Sequence, residues 1–178
     1  MQERFGERLQ IERRAFPLRP GPDHTVSFRG TYREAAWRRI HTMVAPEGIV
    51  WNMWDRDDYP HWSLPALEAA KCAALQGNDA FDAMHFLLFR GFFELGVNIA
   101  DHEEVRTLAQ QAPLDYARFV DDYESGLTRR AVLDEYEDAV NTHMIYAIPT
   151  VIFPDGDRIV GAVSLEEYAK ALEKYGLV

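Results

Sequence analysis

The stretch MIYAIPTVIFPDGDRIVGAVSLEEYAKALEKYG, residues 144–176, has the pattern of two strands followed by a helix. Residues 144–153 are rich in β-branched and aromatic side chains, and the turn signal PDGD separates them from a second apolar run at residues 158–162. Ser164 and Glu167 then have the spacing of a capping box, which marks the start of a helix. This end of the chain therefore predicts a β-hairpin and a closing helix.

Pro149 interrupts the first of these apolar runs. A proline has no backbone N–H, so it belongs at the start of a strand or on an edge. A trans proline that opens the strand fits the residues. A cis bond between Ile148 and Pro149 fits them as well, and it would turn the backbone groups of Ile148 outward, where an extended peptide could pair with them.

The middle of the chain predicts a block of helices. Helix start signals recur at regular spacing, and glycines after several apolar stripes mark helix ends. The predicted starts are Ser63, Asn78, Asp101 with Glu104 as a capping box, Asp115 and Thr128, and a weaker helical pattern runs over residues 28–44. Before this block, residues 9–16 (LQIERRAF) alternate apolar and polar side chains, which predicts a half-buried strand.

Composition excludes several classes of protein. Acidic residues outnumber basic ones by 29 to 19, which gives a formal charge of −10, and a surface of that sign repels nucleic-acid phosphates. No apolar run approaches the length of a membrane span, and the charged N-terminus lacks the apolar region of a signal peptide. We therefore expect no nucleic-acid partner, no membrane partner and a cytoplasmic location.

Single residues that attract attention have structural explanations. The one cysteine, Cys72, excludes an internal disulfide and a Cys-based zinc site, and its position beside an apolar helical stripe predicts a small buried side chain. No two histidines have ligand spacing on one helical face, so we predict no metal site, and His85 on an apolar stripe is predicted as a hydrogen-bonded core residue. Residues 45–62 hold three tryptophans and three aspartates without a period. Their rings either anchor an ordered loop or line a groove for a peptide or small molecule.

Several segments resemble one protein family. The C-terminal pattern is similar to the ββα half of thioredoxin-like proteins, in which the proline is cis and faces the redox site. IERRAFPLRP (11–20), LEAAKCAALQG (67–77) and FLLFRGFFELGVNIAD (86–101) resemble DsbA-like oxidoreductases of the FrnE type. The resemblance implies an α/β fold, a thioredoxin-like sheet with a large inserted helical subdomain. It implies a partial N-terminal thioredoxin-like segment at residues 1–27, the insertion at 28–142 and the C-terminal ββα segment at 143–178.

The resemblance also implies a function, protein-disulfide oxidation or reduction, with Ile148, Pro149 and Thr150 as substrate-binding residues. The partner would be a protein or peptide thiol or disulfide, and no cofactor or metal is implied. The first strand and the Cys-x-x-Cys motif of the family are absent from this chain, so we expect no catalytic residue in it. Either the chain begins at an internal methionine of a longer protein and is inactive as it stands, which we favour, or it is a family member that has lost its redox centre.

Two other functions are compatible with the same residues. One is a non-catalytic thioredoxin-like module that binds a peptide or protein. The other is a relative of the kappa-class glutathione transferases and 2-hydroxychromene-2-carboxylate isomerases, which share the inserted architecture.

The absent first strand has a structural consequence. In the family it lies between the strand matched by residues 9–16 and the strand matched by residues 151–153, and unpaired backbone groups in a dry gap are costly. We expect one of three outcomes: the two strands pair directly, another chain donates a strand and forms a homodimer, or the chain folds poorly.

Overall fold

The computed structural model describes residues 6–176, and that range contains seven α-helices and two β-strands. The helices are α1 (Tyr32–Val44), α2 (Leu64–Ala74), α3 (Asn78–Phe93), α4 (His102–Ala109), α5 (Tyr116–Glu124), α6 (Arg129–Asn141) and α7 (Leu165–Glu173), and the strands are β1 (Thr150–Ile152) and β2 (Arg158–Val160). The chain is α/β with a predominantly helical middle, as predicted. No helix in the described range is long and apolar enough to cross a membrane.

The chain divides into two compact units. Met1–Phe16 and Glu135–Val178 form one, called here the C-terminal unit, and Pro17–Asp134 forms the other, called here the helical unit. The assignment of residues 1–27, 28–142 and 143–178 to thioredoxin-like segments and an insertion stays a prediction, and residues 1–5 lie outside the described range.

The core of the helical unit is built around α2, whose inner side chains are small. Ala69, Cys72 and Ala73 have no exposed surface, and α2 packs against α3, α4 and α5. Small side chains at a helix contact allow the axes to approach closely. Gly91 of α3 acts in the same way, because a Cβ atom there would lie 2.8 Å from Cδ1 of Leu108 in α4.

An ion pair between a buried carboxylate and a partly exposed guanidinium joins α2 to the start of α6. Glu68 is 1% exposed, and its carboxylate accepts hydrogen bonds from Arg129 at 2.8 and 3.3 Å. The hydroxyl of Thr128 donates to the backbone carbonyl of Glu68 at 3.0 Å. The two charges are thereby compensated, which a buried carboxylate requires.

The helix starts lie close to the predicted ones, but Ser63 makes no capping hydrogen bond, Gly77 and not Asn78 is the N-cap residue of α3, and the helix predicted over residues 28–44 begins at Tyr32. Asp101 and Asp115 accept backbone N–H groups of the first turns of α4 and α5, and Ser164 with Glu167 forms a complete capping box at α7. The predicted capping box of Asp101 and Glu104 is wrong in its second half. Glu104 accepts hydrogen bonds from Arg56 and from the backbone of Asn98 instead, because these donors lie within its reach in the folded chain.

The tryptophan-rich residues 45–62 form an ordered loop held by aromatic contacts. Trp54 is 4% exposed, and Trp51 stacks on Phe93 of α3 with ring centroids 4.0 Å apart. Trp37 of α1 packs on Trp51 and donates its indole N–H to the carbonyl of Asn52. The anchoring interpretation is therefore confirmed for these rings.

In the C-terminal unit, β1 and β2 form an antiparallel hairpin in which Val151 faces Ile159. Phe153 follows β1 and packs against Ala169 and Leu172 of α7. In the hairpin turn, Asp155 binds Lys174 at 2.5 Å and accepts a hydrogen bond from the Tyr175 hydroxyl at 2.6 Å. These bonds tie the turn to the end of α7.

The predicted strand at residues 9–16 is wrong, as is the strand character of residues 144–149, which are irregular. Ala15 donates its backbone N–H to the Glu135 carboxylate at 2.6 Å, and Phe16 packs edge-on against Tyr136. Residues 15 and 16 thus contact side chains of α6 where a strand would bind a neighbouring strand. Ile11, which the alternation predicts to be buried, is 45% exposed. Within the described range β1 pairs with β2 alone, so direct pairing of residues 9–16 with residues 151–153 is also wrong. Strand donation by another chain stays a prediction.

We expect Arg129→Ala to lower the free energy of unfolding by about 2 to 4 kcal/mol, because it leaves the buried Glu68 carboxylate without its partner. Urea unfolding followed by circular dichroism measures this change. Arg130→Ala is the matched control, since Arg130 pairs with the exposed Asp134, and we expect less than about 0.5 kcal/mol. Equal losses in the two variants would contradict the role of Arg129 as the partner of the buried carboxylate.

Hydrogen bonds from Lys174, which has the larger effect, and from Tyr175 lower the pKa of Asp155 to about 2. The folded pKa is below the ordinary value, so the ionised group stabilises the fold above about pH 4 and that contribution is lost as the pH falls toward about 2. We expect Lys174→Met to raise the carboxyl titration midpoint of Asp155 in NMR spectra, and Lys170→Met on the same helix to leave it unchanged. An unchanged midpoint in Lys174→Met would show that the lysine is not its partner.

Candidate functional site

The candidate site is the free edge of β1 and the three residues that lead into it. Ala147, Ile148 and Pro149 form a bend directly before the strand, and all three are exposed. The Ile148–Pro149 peptide bond is cis, as the resemblance to thioredoxin-like proteins implies. Thr150, the third predicted site residue, begins β1 and is half-buried.

Backbone hydrogen bonds show which groups of β1 face outward. The carbonyl of Pro149 accepts from Gly161 at 2.8 Å, and Phe153 donates to the carbonyl of Asp157 at 2.8 Å. Backbone groups of successive residues in an antiparallel pair point to opposite sides, so residues 149, 151 and 153 bind the β2 side. The N–H and C=O groups of Thr150 and Ile152 therefore point away from β2, and no strand of the described range pairs with them.

The bend is fixed by local hydrogen bonds. The Thr150 hydroxyl donates to the carbonyl of Ala147 at 2.6 Å, and the guanidinium of Arg158 in β2 donates to the carbonyl of His143 at 2.8 Å. Ile145 donates its backbone N–H to Ala139 at the end of α6. Both ends of the bend are thus held by neighbouring elements, so the edge is presented in a defined orientation.

Apolar side chains surround this edge without being covered. Tyr146 is 70% exposed and Met144 59%, while Ile148 is 42% exposed. The sequence does not distinguish Tyr146 and Met144 as exposed, because an apolar run beside a strand pattern predicts further buried strand. Exposed apolar side chains next to unpaired backbone groups are features of surfaces that bind an extended peptide.

The thiol of the chain is not part of this edge. Cys72 is fully buried in the core of the helical unit, as predicted, and its sulfur lies 3.4 Å from the Thr128 hydroxyl. Burial raises the pKa of the Cys72 thiol to about 11. A nucleophilic cysteine needs a lowered pKa and exposure, so Cys72 has neither property of a redox centre.

The histidines and acidic side chains considered as metal ligands do not form a site in the described part of the chain. His85 is exposed on α3 and stacks on Phe81, so its prediction as a core residue is wrong. The apolar stripe that suggested burial includes it only at its margin. In the described part of the chain, no three His, Cys, Asp or Glu side chains are grouped so that they could hold a metal ion.

An open cleft of about 600 Å³ lies beside β2 and α7, lined by Phe153, Arg158, Glu167 and Lys170 among others. Lys174 also lines it, but its ammonium group binds Asp155 and Asp157. Charges of both signs line the cleft, so it has no evident selectivity for a cation or an anion.

Comparison with known proteins agrees with this geometry. A model of the DSBA-like thioredoxin domain matches residues 3–173. The uncharacterized protein YwbO of Bacillus subtilis is 25% identical to this chain, over 94% of the chain and 82% of the Bacillus protein. Because the domain match extends over nearly all of the sequence and the proline bend and hairpin lie inside it, the chain belongs to the DsbA-like thioredoxin-domain family.

Proposed function

We propose that the protein acts in thiol–disulfide exchange on polypeptides and that residues 148–150 bind the substrate chain. Family membership supports the reaction class. The unpaired outer backbone of β1 supports the binding mode, because an extended segment can add to it as a third strand. Main-chain hydrogen bonds would then supply affinity without requiring one substrate sequence.

The single observation that carries the proposal is the direction of the Thr150 and Ile152 backbone groups. They face away from β2 and lie beside the exposed Ile148 and Tyr146 side chains. An exposed strand edge with unpaired groups is a template for another chain. The edge therefore supports a polypeptide as substrate in preference to a small molecule.

In this proposal residues 1–178 bind the substrate, and they do not transfer the electrons. Reducing a disulfide takes two electrons, which a dithiol supplies as its two thiols become a disulfide. Residues 1–178 contain one cysteine, and that cysteine is buried. The dithiol that exchanges with a bound substrate therefore lies outside residues 1–178.

A second candidate is a module that binds polypeptides without catalysis. The burial of Cys72 and its raised pKa favour this alternative, because it needs no reactive thiol. It uses the same edge, so the two candidates differ in whether a dithiol is needed for function. A relationship to glutathione transferases or chromene carboxylate isomerases, similarity to the FrnE type, and a cytoplasmic location all stay predictions. The net charge of −10 supports the proposal that nucleic acid is not a partner.

Strand addition predicts an alternating pattern of peptide contacts. In a short fluorescent peptide rich in valine and threonine, N-methylation should weaken binding about tenfold at every second residue, where the peptide N–H faces β1. At the residues between them N-methylation should have little effect, since those N–H groups face solvent. Fluorescence anisotropy measures both series, and equal effects at all positions would contradict strand addition.

Two proline variants of the protein test the same edge. Ile152→Pro removes an outward N–H of β1 and keeps the bonds to β2, so we expect about tenfold weaker peptide binding. Val160→Pro is the matched control, because by the same alternation its N–H points away from β1 on the far side of the hairpin. Similar binding by both variants would overturn the assignment of the β1 edge.

We expect the folded 178-residue chain to be unreactive towards a thiol reagent such as dithionitrobenzoate and to react once per chain in guanidinium. It should also leave the rate of insulin reduction by dithiothreitol at background, because one thiol cannot cycle between dithiol and disulfide. Cys72→Ala should behave identically in the insulin assay. Turnover that disappears in Cys72→Ala would contradict the structural role of the thiol.

A further inference from the structure

Helix α3 is apolar on two opposite sides. Ala80, Met84, Leu88 and Gly91 are buried in the core of the helical unit. Phe86, Phe89 and Phe93 recur at spacings of three and four residues, which places them on one face about half a turn away from the buried one. A helix with apolar side chains on two opposite faces normally packs against other elements on both of them.

Within the described part of the chain the outward face of α3 is nevertheless uncovered at Phe86 and Phe89, and it is partly covered at Phe93. Phe86 is 66% and Phe89 52% exposed. Phe89 contacts Phe93, and Phe93 stacks on Trp51 of the tryptophan-rich loop. We call this surface, made of Phe86, Phe89, Phe93 and Trp51, the outer aromatic face.

The loop extends this surface. Ile49 and Val50, which directly precede Trp51, are 50% and 51% exposed. A contiguous patch of large apolar side chains on a protein surface marks an interaction site, and aromatic residues contribute most to binding energy in such sites.

The charges on α3 identify a second copy of the same helix as the occupant. Asp82 and Arg90 lie four residues before and four residues after Phe86, and Arg90 also pairs with Glu94 of its own helix at 3.2 Å. When two copies pair antiparallel about a two-fold axis at Phe86, each Asp82 lies opposite the Arg90 of the partner subunit. A parallel arrangement would place like charges opposite each other.

The side chains between these charges are complementary in the same arrangement. Phe89 and Ala83 lie three residues after and before Phe86, so the large ring of one copy lies opposite the small side chain of the other. Because a two-fold interface uses one patch on both copies, complementarity has to be present within a single helix, and in α3 it is present in both charge and size.

We propose that the outer aromatic face is the interface of a homodimer in which two α3 helices pack antiparallel about Phe86. This surface is separate from the β1 edge, so the dimer does not depend on the proposed peptide binding. It also differs from strand donation as a route to a dimer.

Sedimentation velocity of the full chain between about 1 and 100 μM tests the proposal. We expect a concentration-dependent dimer, and Phe89→Glu should raise its dissociation constant about 100-fold or more, because it places a charge in an apolar contact in both copies. Leu127→Glu is the matched control: Leu127 is 58% exposed in the same unit, and this change should leave the dimer intact. Thermal unfolding by circular dichroism verifies that both variants stay folded.

Charge exchange makes the test specific for the antiparallel pair. Asp82→Arg and Arg90→Asp should each weaken the dimer about tenfold, and the double variant should restore it. The two positions are about 12 Å apart along one helix, so restoration cannot arise within a single copy.

Three results would overturn the proposal. The first is a monomer at every concentration, which would leave the face to a different protein. The second is a dimer that Phe89→Glu leaves intact and Ile152→Pro dissociates, which would assign dimerisation to strand exchange at β1. The third is a double charge variant that stays as weak as the single ones.

Discussion

The close packing around α2 is the constraint on which the helical unit depends. Three helices approach it because the side chains that α2 contributes to the hydrophobic core are alanines and one cysteine, and Gly91 of α3 makes room for Leu108 in the same way. In this position Cys72 is a packing residue, and a larger or charged side chain would separate the helices. The same close packing makes the Cys72 thiol unreactive, because the sulfur has no exposed surface and burial raises the pKa of the thiol.

Ionic contacts organise the helical unit around this core. Glu68 is compensated by Arg129 at the start of α6, and Arg56 in the tryptophan-rich loop binds both Asp58 and Glu104. These hydrogen bonds raise the pKa of Arg56 and lower that of Asp58. The loop is therefore held by charged bonds to α4 in addition to its ring contacts with α1 and α3, which explains why a segment without regular secondary structure has a defined path.

Two surfaces of the protein expose groups that are normally covered in a folded chain. At β1 these are backbone N–H and C=O groups, which bind any extended chain, and on α3 they are aromatic rings, which need a partner of complementary shape. The first kind of surface suits a substrate whose sequence varies, and the second suits a single permanent partner. Each surface belongs to one unit, so the proposed substrate binding and the proposed self-association have separate structural bases.

The sequence by itself determined the features that depend on bonds within a few residues. The helix starts at Asp101, Asp115 and Ser164, the hairpin turn and the proline bend all follow from local donors, acceptors and backbone preferences. Tertiary structure decided the features whose partners are distant in the chain. Glu104 binds Arg56 instead of capping α4. Residues 9–16 bind side chains of α6 instead of pairing as a strand. Glu68 is buried because Arg129 compensates its charge. A donor many residues away leaves no periodic signal in the sequence, and only folding brings it within hydrogen-bonding distance.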